Sequence, residues 1–304
     1  EIEKTEAWVE YPVLYMDFNV GRYDEPHSLK SHLNIVLSQF EEIYGAREPE
    51  EEPAQRFAGI VQRAYEKTGK QVVILVDEYD KPLLQTMGVN EALNEEFRNT
   101  LKAFYSVTKT CDQYIRFAFL TGVTKFSKVS IFSDLNNLQD ISMLNDYAEI
   151  CGLTQAEIEN TFKPEIEKLA DNTKNSYDKM LEELKKRYDG YRFSVLGKSV
   201  YNPFSILSTL DSGELKNYWF ATGTPTFLVN YLKDAYYNIP DLDGNVELNE
   251  AGIELYRADA KNPLPILFQS GYLTIKEYIE EVNMYRLGFP NDEVRDGFLE
   301  NLVP

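Results

Sequence analysis

Val72-Val73-Ile74-Leu75-Val76-Asp77-Glu78-Tyr79-Asp80 sets five β-branched or leucine residues, with no alternation, directly against two carboxylates. An unbroken apolar run of this length is the pattern of a strand buried on both faces of a parallel sheet. Open α/β sheets place their ligand chemistry at the carboxyl ends of such strands, where this run turns acidic. An apolar strand followed by two acids also occurs wherever a strand simply leaves the core for a solvated loop, and nine residues do not separate the two.

The flanking sequence extends the first reading. Val13-Leu14-Tyr15-Met16-Asp17-Phe18 has the composition of a strand, with Pro12 at a tolerated edge position. Leu33, Val36, Leu37, Phe40 and Tyr44 recur at helical spacing, and so do Phe57, Ile60, Val61, Ala64 and Tyr65 behind Pro53, which suits a first helical turn. The acidic stretch from Glu48 to Glu52 between them reads as a solvated connection, and Gly69 closes the second helix. That completes a strand, helix pair, strand crossover. A loop with Pro82 and Gly88 follows the acids, then a helical pattern from Leu93 through Phe97, Leu101 and Phe104 to Val107. Ile115-Arg116-Phe117-Ala118-Phe119-Leu120-Thr121 is a further strand, and Leu135 to Ile141 a short last one.

Asp-Glu after a buried strand is the Walker B pattern of nucleotide-hydrolysing P-loop proteins. In that role Asp77 holds Mg²⁺ through water, and Glu78 orients or deprotonates the attacking water. Thr121, ending the neighbouring strand, occupies a Sensor 1 position, where a hydroxyl contacts the γ-phosphate or that water. Its alternatives are a helix cap or a turn. Asp80 either helps the cofactor site or pairs with a local lysine. Arg116 is mid-strand and suits an ion pair or packing, while Arg187 and Arg192 are two candidates for reporting on nucleotide.

Composition bounds the rest. Among 304 residues, 43% are hydrophobic, so the chain is globular. Acids outnumber bases 50 to 31, a net charge of −19 that repels phosphate backbones; nucleic-acid binding through this segment is not expected. Two cysteines, Cys111 and Cys151, make neither a disulfide framework nor a zinc cluster and fit a reducing cytoplasm. His27 and His32 share one polar stretch and read as surface residues. No apolar run approaches the roughly 20 residues that span a bilayer, and no signal peptide is present. The chain starts at Glu1, not methionine, and reads as a fragment.

From Thr154 the character changes. Thr154-Gln155-Ala156-Glu157 is a capping box, Asn175 to Tyr188 a charged amphipathic helix, and Pro203 to Leu210 and Pro225 to Ala235 are further helical patterns. Leu264 to Tyr272 reads as a buried helix followed by strands at Leu273–Tyr278 and Met284–Leu287, a winged-helix-like order. Gly197-Lys198-Ser199 is not a phosphate loop, because Arg192 stands where glycine is required; it reads as a hairpin turn. Pro240-Asp241 with Asp259-Ala260-Lys261 spells a nuclease metal motif only superficially, since Asp241 lies in a turn sequence.

Val-Asp-Glu-Tyr-Asp-Lys-Pro-Leu (Val76 to Leu83), Thr-Gly-Val-Thr-Lys-Phe (Thr121 to Phe126), Tyr-Asp-Gly-Tyr-Arg-Phe (Tyr188 to Phe193), Tyr-Asn-Pro-Phe-Ser (Tyr201 to Ser205), Phe-Gln-Ser-Gly-Tyr-Leu (Phe268 to Leu273) and Phe-Pro-Asn-Asp-Glu-Val (Phe289 to Val294) together resemble the bacterial AAA-ATPase-like family. The resemblance spans almost the whole chain. It implies an additional-strand P-loop fold, a helical lid and a winged-helix-like tail, with domains at 1–150, 151–240 and 241–304. Members commonly carry a PD-(D/E)XK nuclease-like domain beyond the point where this chain stops, and their cellular roles are mostly unassigned. Family members place a Walker A loop upstream of the strand at Val13, and this sequence contains none.

The resemblance therefore implies an ATP- and Mg²⁺-using regulatory module of a longer bacterial protein, controlling a nuclease-like effector, with these 304 residues inactive alone. The competing expectation is an inactive P-loop-like scaffold for protein–protein interaction. The missing strand predicts a gap between Ile115–Thr121 and Leu135–Ile141, a site for poor order or for association with another chain.

Overall fold

A computed structural model describes residues 8–47, 51–123, 131–132, 135–221, 239–254 and 262–302. Packing divides the chain into two compact units, Glu1–Leu138 and Gln139–Pro304.

In the first unit the expected strands form and are parallel. β1 (Val13–Asp17), β2 (Val72–Asp77) and β3 (Ile115–Leu120) lie in the order β1-β2-β3. β1 is linked to β2 by helices α1 (Ser28–Tyr44) and α2 (Pro53–Thr68). Pro53 occupies the first turn of α2, Glu52 and Gln55 form a reciprocal capping box, and Gly69 ends the helix at φ 65°, a left-handed position natural to glycine. Arg56 of α2 meets Glu41 of α1 at 2.5 Å with both side chains largely covered, and this pairing holds the Glu41 carboxyl below its ordinary pKa.

The segment after the acids, expected as a loop, contains α3 (Lys81–Thr86); Pro82 is compatible with it because it sits in the first turn. α4 (Glu91–Tyr105) and α5 (Val107–Thr110) lead into β3. Leu135 to Ile141 is not a strand. Asn136 and Asn137 form a turn there, and Asp140 accepts the Ser142 N–H at 2.9 Å, local chemistry that competes with a ladder. The expected gap between two strands is thus replaced by an outer edge: among the described residues, β3 is the last strand on its side.

One sheet face is core. Leu14, Met16, Ile74 and Val76 are buried, and Phe57, Ile60, Val61 and Ala64 of α2 are fully buried, with Phe57 stacked on Phe104 of α4 at 4.6 Å. The other face differs from the expectation of a strand covered on both sides. In register across it lie Val13, Val73 and Phe117, then Tyr15, Leu75 and Phe119. Phe117 is 54% exposed, Tyr15 52% and Val13 47%.

The second unit begins with α6 (Gln155–Thr161), α7 (Lys163–Thr173), α8 (Tyr177–Tyr188) and α9 (Pro203–Ser212). They close on Ile158, Ile166, Leu169, Met180, Leu184, Tyr188, Tyr201 and Ile206. The Thr154–Glu157 capping box is present at the start of α6. After α10 (Tyr218–Ala221) come β4 (Val246–Asn249), α11 (Glu250–Glu254), α12 (Leu264–Gln269), β5 (Thr274–Ile279), β6 (Met284–Gly288) and α13 (Asp292–Leu302), with an antiparallel sheet in the order β4-β6-β5. The helical pattern expected at Pro225 to Ala235 lies outside the described residues.

Segments far apart in sequence meet in this unit. Gly190, at φ 109°, lets the backbone of Pro290 approach so closely that a Cβ would lie 2.1 Å from its carbonyl oxygen. The Arg192 N–H donates to Thr274 Oγ1 at 2.7 Å, and the Trp219 N–H donates to Glu293 Oε1 at 2.9 Å. Tyr201 is anchored by its backbone on Leu153.

Candidate functional site

The three parallel strands end together, which brings their terminal polar residues to one edge. Asp17 is the register partner of Asp77, and the Phe18 N–H donates to the Asp77 carbonyl at 3.0 Å. The Thr121 N–H donates to the Val76 carbonyl at 2.9 Å, extending the β2–β3 ladder by one residue. The Thr121 hydroxyl then reaches across and donates to Asp77 Oδ1 at 2.5 Å. Asp77 and Thr121, read from different strands, are thus in direct contact at the carboxyl edge.

Glu78 follows at φ 55°, a left-handed conformation uncommon for a residue with a side chain. Its side chain is half-buried. Burial is the main cause pushing its carboxyl above the ordinary pKa; Asp80 adds to this, Lys81 opposes it, and Asp77 and Asp17 contribute further. Asp80 is wholly buried, with Oδ1 accepting the Val123 N–H at 3.2 Å.

Asp17 is the acid that the strand-end argument passed over. The same logic applied to Val13–Asp17 would have found it, since it too is a carboxylate ending an apolar strand. It accepts the Asn19 N–H at 2.7 Å. Behind it Tyr23 is buried and donates to the Phe18 carbonyl at 2.9 Å. His32, expected at the surface, is half-buried. Its ring lies 5.3 Å from that of Phe18 and 5.9 Å from that of Tyr23, and burial lowers its pKa against the opposing pull of Asp17. It stands beside Leu29 and Leu33 on the inward face of α1, a placement its polar sequence neighbours hide. His27 is exposed, 3.3 Å from Glu25.

The donor set at this edge is all oxygen, which suits a hard cation such as Mg²⁺. Among the described residues no three His, Cys, Asp or Glu side chains are grouped to enclose a metal. A cation at Asp77 would therefore keep most of its waters and take further ligands from phosphate, as Mg²⁺ commonly does.

The remaining candidates lie elsewhere. Arg116 is exposed on β3. Arg192 is engaged with its own turn, its guanidinium donating to the carbonyls of Ser194 and Val195. Arg187 contributes an attraction to the buried Glu293. Gly197-Lys198-Ser199 lies in the turn between the bridged residues Tyr191 and Val200. There Lys198 pairs with Glu149 at 3.7 Å and the Ser199 hydroxyl donates to Asp189 at 3.0 Å. Asp241 sits in the short 3₁₀ turn Ile239–Leu242, while Asp259 and Lys261 lie outside the described residues. No helix among the described residues is long and apolar enough to cross a membrane.

Comparison with known proteins places this edge in context. The chain is 37% identical, over 295 residues, to a protein of Azotobacter chroococcum mcd 1 named as an uncharacterized protein in the vnfD 5′ region. The match covers 96% of this chain and 54% of that relative, so the chain spans about half the relative's length. No solved structure matches. Residues 1–132, which hold the whole of this sheet edge, match the AAA-ATPase-like family, described as Predicted AAA-ATPase.

Proposed function

We propose that the first unit is the Mg²⁺- and water-handling half of an ATP-hydrolysing, AAA-type regulatory module. Asp77 holds Mg²⁺ through water, Glu78 activates the attacking water, and Thr121 reads the γ-phosphate. The observation that carries this reading is the 2.5 Å contact of Thr121 with Asp77 at the carboxyl edge of a parallel sheet. That edge is where open α/β folds bind their ligands. The left-handed Glu78 adds support, since backbone strain collects at functional sites.

The phosphate-cradling half belongs, in this reading, to a Walker A strand and loop upstream of Glu1. All-parallel sheets are almost always covered on both faces. The bare face of Val13, Tyr15 and Phe117 and the outer edge of β3, unpaired among the described residues, supply a place for that segment. The second unit then serves as helical lid and winged-helix-like tail, and a nuclease-like effector follows on the longer chain.

The alternative, a scaffold for protein interaction without turnover, draws on the same bare face. Mg²⁺-ATP hydrolysis decides between them. The complete translation product containing residues 1–304 should turn over ATP, and Glu78→Gln should lower its rate by about 10²- to 10⁴-fold. The 304-residue chain alone should show no appreciable rate, because positioning groups supply most of phosphoryl-transfer catalysis. Turnover indifferent to Glu78→Gln would place the site elsewhere; no turnover by the complete product would leave the scaffold.

A further inference from the structure

Two loops leave the parallel sheet side by side, Asp77–Asp80 after β2 and Thr121–Val123 after β3. Four hydrogen bonds join these loops and the adjoining end of β2. The Thr121 N–H donates to Val76 O at 2.9 Å, the Tyr79 N–H to Thr121 O at 2.9 Å, the Thr121 hydroxyl to Asp77 Oδ1 at 2.5 Å, and the Val123 N–H to Asp80 Oδ1 at 3.2 Å. The last acceptor has no exposure at all. A buried carboxylate is expensive unless hydrogen-bonded, so its burial here calls for a role.

The fit is tight from the other side as well. A Cβ on Gly122 would lie 2.5 Å from Asp80 Oδ1 and 2.7 Å from the Tyr79 ring. Gly122 is not at positive φ, so close approach, not backbone conformation, is what requires glycine there. Asp80 also faces the other way: its carbonyl accepts the Leu83 and Leu84 N–H groups at 2.9 and 3.0 Å, in the first turn of α3. One residue thus holds the Thr121 loop with its carboxylate and α3 with its carbonyl.

We propose that Asp80 is a positioning residue whose buried carboxylate clamps the Thr121–Val123 loop to the acid loop, so that Thr121, Asp77 and Glu78 meet nucleotide as one rigid group. It acts through Val123 and Gly122 and touches neither metal nor phosphate. The proposal rests on the ATPase reading for its consequence but on the loop geometry for its existence, and the two are tested separately.

Hydrogen exchange in the 304-residue chain tests the clamp. Asp80→Ala should speed exchange of the Val123 and Tyr79 amides by about tenfold or more while Ile74 and Val76 stay protected, as local opening without global unfolding does. Asp80→Asn, which keeps an acceptor oxygen, should stay near the parent; unchanged exchange in Asp80→Ala overturns the clamp. Kinetics of the complete translation product test the consequence. Asp80→Ala should lower kcat about 10²-fold with KM for Mg²⁺-ATP within about threefold, the signature of misplaced rather than missing groups. Asp80→Asn should lose less than about tenfold of kcat. An Asp80→Asn variant as damaged as Asp80→Ala, with a raised Mg²⁺ requirement, would make Asp80 a direct ligand and overturn the proposal. Should Asp80→Ala fail to fold, Gly122→Ala enters the same contact from the opposite loop and should lower kcat alike; an unaltered kcat there overturns it too. A complete product with no Glu78-dependent turnover refutes the ATPase reading, and the exchange result still decides the clamp.

Discussion

The two sheets of this protein finish their outward faces in opposite ways. On the antiparallel sheet of the second unit, Arg286 of β6 stands between its register partners Glu247 of β4 and Glu277 of β5 and pairs with both. That is a face built for water, as antiparallel sheets commonly have. On the parallel sheet of the first unit, the corresponding rows are Val13–Val73–Phe117 and Tyr15–Leu75–Phe119. The units also place their acids differently: Asp17, Asp77 and Glu78 are half-covered at an open edge, whereas Glu293 is wholly buried. The second sheet is finished as it stands. The first carries a core-type surface with nothing on it among the described residues.

The difference can be broken by measuring stability on each face. The largest effect is expected on the covered face of the first sheet, where Ile74→Ala should cost about 2–5 kcal/mol in urea unfolding, because Ile74 is fully buried. A cost below about 1 kcal/mol would mean that this face is no better packed than the bare one.

Next is Glu293, whose carboxyl is pushed up chiefly by burial, partly offset by the Trp219 N–H, the Ser205 hydroxyl, Arg187 and the Tyr218 N–H. A carboxyl with its folded-state pKa raised stabilises fully below its ordinary unfolded value, and that contribution is lost as pH rises through the raised one. Stability of the second unit should therefore fall with rising pH over that window. Glu293→Gln, which keeps an acceptor for Trp219, should flatten the slope and add on the order of 1 kcal/mol at neutral pH. Denaturation midpoints across the window measure both, and an unchanged slope in Glu293→Gln would remove Glu293 as its source.

Smaller still is Arg286→Ala, expected to cost about 0.2–1 kcal/mol and to lose that effect at high salt, as exposed cross-strand ion pairs do. Smallest is Phe117→Ser in the 304-residue chain, expected within about 0.5 kcal/mol because Phe117 is 54% exposed. In the complete translation product the same change should cost about 3–5 kcal/mol if the upstream segment covers this face. Equal small effects in both would leave the face bare in the whole protein and favour the scaffold reading.

Much of this was legible in the sequence. The three strands, their parallel pairing and the helical crossover follow from unbroken apolar runs and from Pro53 and Gly69, which act through local sterics. The meeting of Asp77 with Thr121 follows once the strands are adjacent. What was hidden depends on tertiary contact. Nothing local marks Asp80 as buried, because its surroundings come from Gly122 and Val123, more than 40 positions away. His32 looks polar by its neighbours and is covered by Phe18 and Tyr23. The expected strand at Leu135 to Ile141 failed because Asn136 and Asn137 turn the chain, Asn137 donating to the distant Thr108 carbonyl, and because Asp140 offers the Ser142 N–H a nearer partner. The run Val72–Val76 read as doubly covered because sequence reports which residues would accept burial, not whether a cover is present.

Glu78 has a consequence for directed evolution. A left-handed glutamate costs roughly 1 kcal/mol relative to glycine or asparagine at the same φ. A library selected only for heat resistance should therefore be drawn to position 78 and favour Gly or Asn there. Those winners would be sturdier proteins stripped of the one carboxylate assigned to the water, so thermal enrichment at this position would identify the residue most expensive to keep and least useful to lose.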